Sequence, residues 1–183
     1  MKGLREIASL MNGLDVLWAL GASSVLYFNG HPKMPEDFDI FVRFEDYPRV
    51  YQALGALGSE LPVEKKNSLY HTQGFARFSC FHVGVDLIGG FNIFHAEGEY
   101  RMIFDDKSID LVREEQGEPV NVMALEDWWI LYALIPGREA KSRWVFERSA
   151  SEGFPRRDLL ERALSLEVPL EIREKIEKIL KHG

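Results

Sequence analysis

Asp37-Phe38-Asp39-Ile40-Phe41-Val42 limits the fold of this chain more than any other segment. The apolar run Phe38–Val42 reads as a strand, and residues two apart on a strand point to one face. Asp37 and Asp39 therefore project together while Phe38 turns into the core. Two like charges so close are costly unless a cation lies between them or one carboxylate is protonated. Mg²⁺ takes oxygen ligands and commonly binds through one or two carboxylates plus substrate phosphates.

Val85-Asp86-Leu87-Ile88 sets a third acid inside an otherwise apolar strand, where an unpartnered carboxylate would be expensive. Three acids on neighbouring strands could hold a metal pair and activate an attacking hydroxyl. Upstream, the apolar Val16–Leu20 ends at Gly21-Ala22-Ser23-Ser24. A strand, a small-residue turn and a helix start form an anion cradle from backbone N–H groups and serine hydroxyls. Plainer readings stand beside these. An Asp-x-Asp also caps turns or sits on a solvated edge, Asp86 also suits an ion pair, with Arg77 as its cross-strand candidate, and Ser is a common N-cap.

The remaining pattern is mixed. Ser23–Phe28 predicts a short helix stopped by Asn29-Gly30, and two prolines make 31–35 irregular. Asp46 is expected to N-cap a helix over Tyr47–Leu57 that Gly58 ends. Extended segments are expected at Leu61–Lys65, Phe75–Phe81, Val83–Ile88, Phe91–His95 and Val120–Met123, and one over Glu99–Phe104 is left open. From Leu125 the style changes: an apolar helix with Trp128 and Trp129 runs to Pro136-Gly137. Amphipathic helices follow over Arg138–Arg148, Pro155–Leu166 and Pro169–Lys181. The expectation is an α+β chain with a mixed sheet, helices on one side and a C-terminal helical segment, divided into 1–124 and 125–183.

Composition excludes other classes. Over 183 residues, 46% hydrophobic and 28% charged residues suit one folded domain and not a disordered chain. No apolar run approaches the ~20 residues that span a bilayer, and no signal-like stretch follows Met1, so a cytoplasmic protein without a membrane partner is expected. Cys80 is the only cysteine, and His31, His71, His82, His95 and His182 show no metal-ligand spacing. Neither a Walker sequence nor a G-x-S-x-G elbow is present. Up to Gly137 there are 11 basic and 20 acidic residues, and from Arg138 on 11 and 9. That split suits a cation held by the first part and an anion reached by the second, not a basic nucleic-acid stripe.

Taken together, "WALGASSVLYFNGHPKMPEDFDIFV" and "FARFSCFHVGVDLIGGF" resemble the nucleotidyltransferase superfamily with the DNA polymerase β-like fold, closest in flavour to its small single-chain and antitoxin-like members. "VNVMALEDWWILYAL" and "GREAKSRWV" resemble the later strand-to-helix passage and helix, so the likeness spans Val16–Val145. The resemblance implies an Mg²⁺-dependent enzyme moving an NMP from an NTP, such as ATP, to a hydroxyl. Asp37 and Asp39 would hold Mg²⁺, and Asp86 would complete the metal site and act as base. Gly21 and Ser23 would meet the nucleotide phosphates, and Ser23 or Ser24 could stand in for the second Gly or Ser that is usual at Ala22. Lys33 takes the place of a loop Arg, and Lys141, one turn after Arg138, would contact phosphate. Ala22 replaces a usual Gly or Ser, Pro35 a Thr, Tyr132 a Lys, and Ser142 an Asp. The acceptor could be a small molecule, a protein or an RNA end, and a second copy of the chain could close the cleft. The alternative is a non-catalytic nucleotide- or partner-binding protein, antitoxin-like or regulatory, on the same fold.

Overall fold

The computed structural model describes residues 1–63 and 69–182, with the last of these by its backbone. Helix α1 (Leu4–Gly13) precedes strand β1 (Trp18–Leu20), helix α2 (Ala22–Phe28) and strand β2 (Asp37–Val42). Helix α3 (Tyr47–Leu57) leads to β3 (Ser59–Leu61), β4 (Gly74–Cys80) and β5 (Val83–Gly89). Then come β6 (Asn92–His95), β7 (Gly98–Arg101), β8 (Ile109–Glu115) and β9 (Glu118–Met123). Four helices end the chain: α4 (Leu125–Leu134), α5 (Glu139–Ser151), α6 (Arg157–Leu164) and α7 (Leu170–His182).

Seven strands form one mixed sheet in the order β3-β4-β5-β2-β1-β9-β8, while β6 and β7 make a separate hairpin. Strand β2 lies at its centre, parallel to β5 and antiparallel to β1. On β4, Gly74, Ala76, Phe78 and Cys80 are buried while Phe75, Arg77 and Ser79 are exposed, the period of two expected of a half-covered strand. Helix α3 covers the buried face: Tyr51 meets Phe78 edge-on, and the Cys80 thiol donates to Leu54 O at 3.7 Å. The opposite face of β4, β5 and β2 is left to the site.

Helix α4 is buried nearly all round, which is why its sequence shows no polar face. Trp128 meets Phe41 edge-on at 5.7 Å, and Trp129 packs against Phe146 and Phe154. Both tryptophans belong to one hydrophobic core shared by the sheet and the C-terminal helices. Two acids are buried on the same helix. Asp127 accepts from Arg162 at 3.0 and 3.1 Å, and Arg162 also reaches Asp105 at 2.8 Å. Burial nevertheless pushes Asp127 up to about 6, against the pull of Arg162.

Several expectations are corrected. Helix α1 was not anticipated, although it buries Leu4, Ile7, Ala8 and Met11 at helical spacing. Strand β8 was not anticipated either: its Leu-Val-Arg-Glu-Glu is mostly exposed on a sheet edge, where hydrophobic alternation has little to enforce. The segment expected at Leu61–Lys65 begins earlier, as Ser59–Leu61 paired with β4, and 64–65 lie outside the described residues. Asp46 occupies the N-cap position of α3, but its side chain makes no capping hydrogen bond. Among the described residues, no helix is long and apolar enough to cross a membrane.

Candidate active site

Register builds the site. Asp39 stands beside Asp86 in the parallel β2–β5 ladder, and Asp86 stands opposite Arg77 in the antiparallel β5–β4 ladder. The three side chains thus form one row across the open face, at strand spacings of about 4.8 Å. Two residues along each strand lies a second row: Phe41 beside Ile88, and Ile88 opposite Phe75. Both rows line a cleft of about 1030 Å³, together with Asp37, Ser23, Tyr132 and Lys141.

The carboxylates differ in their surroundings. Asp86 is held by Arg77, whose Nε donates to Oδ1 at 2.7 Å and Nη2 to Oδ2 at 2.6 Å. The plainer reading of Asp86, a cross-strand ion pair with Arg77, is realised. Asp37 and Asp39 make no side-chain hydrogen bond or ion pair among the described residues. Burial, then the nearby charges of Asp37 and Asp86, push Asp39 up to about 7, while Lys141 and Arg77 pull it back. A cation at this point would relieve that repulsion. Among the described residues no three Asp, Glu, His or Cys side chains are gathered closely enough to hold a metal as they stand. Two free carboxylates in an open cleft nonetheless fit Mg²⁺, which keeps waters and takes its remaining ligands from substrate phosphates.

The turn after β1 is shaped by packing. The Gly21 N–H donates to the Asp39 carbonyl at 2.8 Å, tying this turn to β2. A Cβ on Gly21 would lie 2.4 Å from Phe41 Cε2 and 2.6 Å from Trp128 Cζ2. The glycine there is therefore required by two aromatic rings, and Gly21 does not line the cleft. Ala22 takes φ +45°, a left-handed conformation in which an L side chain is strained. Ser23 faces the cleft, whereas Ser24 is fully buried and its hydroxyl has no partner among the described residues. Ser24, expected beside an anion, does not line the cleft.

Lys141 leans over the Tyr132 ring, Nζ 5.3 Å from its centroid, a cation–π arrangement. Burial and the neighbouring Arg138 and Lys33 lower the Lys141 pKa; Asp39 and Asp37 oppose them. The Tyr132 hydroxyl is buried without a partner among the described residues, and burial raises its pKa. Lys33 itself is exposed and pairs with Glu36 at 3.2 Å, outside the cleft wall. The structure thus gathers Ser23, Asp37, Asp39, Asp86 and Lys141, and leaves Gly21, Ser24 and Lys33 outside. It adds Arg138, Tyr132 and Arg77, three residues the sequence had marked, and Gln73, Thr72 and Tyr70, which lie in a stretch without periodicity.

No protein-family model matches the sequence, and no curated protein matches it. Solved structures do. A Thermotoga maritima protein assigned to the nucleotidyltransferases superposes with a TM-score of 0.60 at 18% identity, over 79% of this chain and 91% of that one. The fold is that of the nucleotidyltransferases. ANT(2'')-Ia, solved with adenylyl-2''-tobramycin, gives 0.53 at 11% identity over 94% and 93%. The lincosamide antibiotic adenylyltransferase LnuA, solved with lincomycin, gives 0.51 at 14% identity over 79% and 94%. The mixed sheet expected from the sequence is the one this fold shares.

Proposed function

We propose that the chain is an Mg²⁺-dependent nucleotidyltransferase that moves an NMP from an NTP to a hydroxyl acceptor and releases pyrophosphate. The observation that carries the proposal is the row Arg77–Asp86–Asp39, with Asp37 and Asp39 unpaired among the described residues in an open cleft that also holds Lys141 and Ser23. In this reading Asp37 and Asp39 hold the cation, and Lys141 and Ser23 meet phosphate oxygens. Bound Mg²⁺ would neutralise charge on the attacking and leaving oxygens. The acceptor oxygen bonds to the α-phosphorus as the bond to the bridging oxygen breaks, and pyrophosphate leaves with that electron pair. The hydroxyl proton goes to Asp86. Arg77 engages each Asp86 oxygen once, and a carboxylate has about four lone-pair sites, so acceptor capacity remains.

The neighbours' shared fold, the adenylyltransferase name of LnuA and the adenylylated tobramycin bound to ANT(2'')-Ia support the reaction class; the residue roles rest on the geometry of this chain. Pyrophosphate release from ATP with Mg²⁺, measured over a panel of hydroxyl acceptors, tests the proposal. Full transfer by Asp39→Ala would overturn it.

A second reading is a nucleotide- or partner-binding protein that performs no transfer. One observation favours it: Asp86 is already neutralised by Arg77. Metal-dependent nucleotide binding with no turnover on any acceptor would select it.

A further inference from the structure

Tyr132 brings into the cleft a polar group that the mechanism above does not use. The residue is 3% exposed, yet it lines the cleft, and its hydroxyl is buried without a hydrogen-bond partner among the described residues. A buried hydroxyl left unpaired costs stability, so one that faces a cleft is a donor kept for a ligand oxygen. Burial and the charge of Asp39 raise its pKa while Arg138 lowers it, so the group keeps its proton and lies within the fields of both charges.

Two cations share that place. Lys141 Nζ lies 5.3 Å from the centre of the Tyr132 ring, and Arg138, three residues before Lys141, lines the same cleft. Burial and then Arg138 depress the Lys141 pKa, so the two like charges are near enough to repel each other. An anion that lies between them and accepts from Tyr132 relieves the repulsion and satisfies the donor.

Position gives this anion its place in the reaction. Helix α4 reaches the sheet from the β1 side, where Trp128 meets Phe41 and would meet a Cβ on Gly21, and Tyr132 packs on Trp128 at 5.0 Å. The strand order β4-β5-β2-β1 puts Asp86 and Arg77 on the other side of Asp39. In phosphoryl transfer the attacking and leaving oxygens lie roughly in line across the phosphorus. An acceptor deprotonated at Asp86 therefore drives the leaving group toward Tyr132, Arg138 and Lys141.

We propose that the Tyr132 hydroxyl donates to an oxygen of the departing pyrophosphate, held between Arg138 and Lys141. This rests on the proposed transferase reading and names the leaving-group pocket of that site. The bonds made and broken are those already given, and Tyr132 keeps its proton throughout.

Tyr132→Phe removes one oxygen and keeps the ring, its packing on Trp128 and its place under Lys141. Calorimetric titration of inorganic pyrophosphate with Mg²⁺ into the wild type is expected to show saturable binding, about tenfold weaker in the variant. Binding of ATP with Mg²⁺ should weaken by a similar factor. Denaturant unfolding of the ligand-free proteins is the second readout, and the variant should be at least as stable as the wild type. Unchanged binding of either ligand by the variant, or a wild type that binds ATP but not pyrophosphate, would overturn the inference. A clear loss of stability in Tyr132→Phe would also overturn it, by making the hydroxyl a structural group. The transferase reading fails separately, and takes this inference with it, if ATP with Mg²⁺ does not bind the wild type.

Discussion

Arg77 grips Asp86 through two parallel hydrogen bonds of 2.7 and 2.6 Å across the β4–β5 ladder, and Asp86 in turn lies beside Asp39. The Asp86 side chain is 9% exposed and that of Arg77 45%, so the pair is neither fully buried nor freely solvated. Removing only the arginine leaves a carboxylate poorly hydrated between β2 and β4. Arg77→Ala is expected to lower stability by about 1–3 kcal/mol, below the ~3–5 of a fully buried pair because water reaches the guanidinium side. Adding Asp86→Ala should recover part of that loss. Denaturant unfolding of the two single variants and the double variant measures the coupling, and strict additivity would contradict it.

Asp39 gives the metal-free protein a pH dependence. Its folded pKa, about 7, lies above the ordinary value of 3.8. The unfolded chain therefore releases this proton near pH 4, while the native chain holds it to about pH 7. Native stability falls as pH rises through that window, and the loss is complete above it. Asp39→Asn has no such proton, so the variant should be more stable than wild type at pH 8, by about 2–4 kcal/mol, with the gap closing toward pH 4. Melting curves in EDTA at both pH values check the sign, and millimolar Mg²⁺ should narrow the gap at pH 8.

Gly21 is predicted to matter through packing. A methyl group there meets Phe41 and Trp128, both ring systems held in the core. Gly21→Ala is expected to cost about 1–3 kcal/mol of overpacking and to move the cleft floor at Phe41. A wild-type melting temperature and unchanged tryptophan fluorescence in this variant would show that the rings have room to move.

Arg162 holds together elements far apart in sequence. It bonds Asp127 on α4, Asp105 and the Ser108 hydroxyl. Arg162→Met would leave Asp127 buried without its cation, at an expected cost of about 3–5 kcal/mol. Asp127→Asn combined with Arg162→Met should be less destabilised than Arg162→Met alone. Chemical denaturation measures both.

The carboxylate strand, the glycine turn and the apolar helix were legible because each carries a strong local signal. A period of two across Asp37-Phe38-Asp39, a buried run stopped by Gly21, and ten mostly apolar residues after Ala124 all point one way. Helix α1 carries the same kind of signal in the helical spacing of Leu4, Ile7 and Met11. Strand β8 was not readable, since its edge position leaves its side chains in solvent. The burial of Ser24 and the pairing of Arg77 with Asp86 depend on helix phase and cross-strand register, which no single segment encodes. The Gln73, Thr72 and Tyr70 wall lies in irregular chain, so only the folded neighbourhood of β6 brings it to the cleft.

Titration calorimetry of ATP with Mg²⁺ into the wild type and into Asp37→Ala/Asp39→Ala tests the central claim most directly. Saturable binding that requires Mg²⁺ and disappears in the double variant is the predicted result. Binding that persists in EDTA or in the double variant, or no binding by the wild type, would contradict the assignment of these two carboxylates to a metal–nucleotide site.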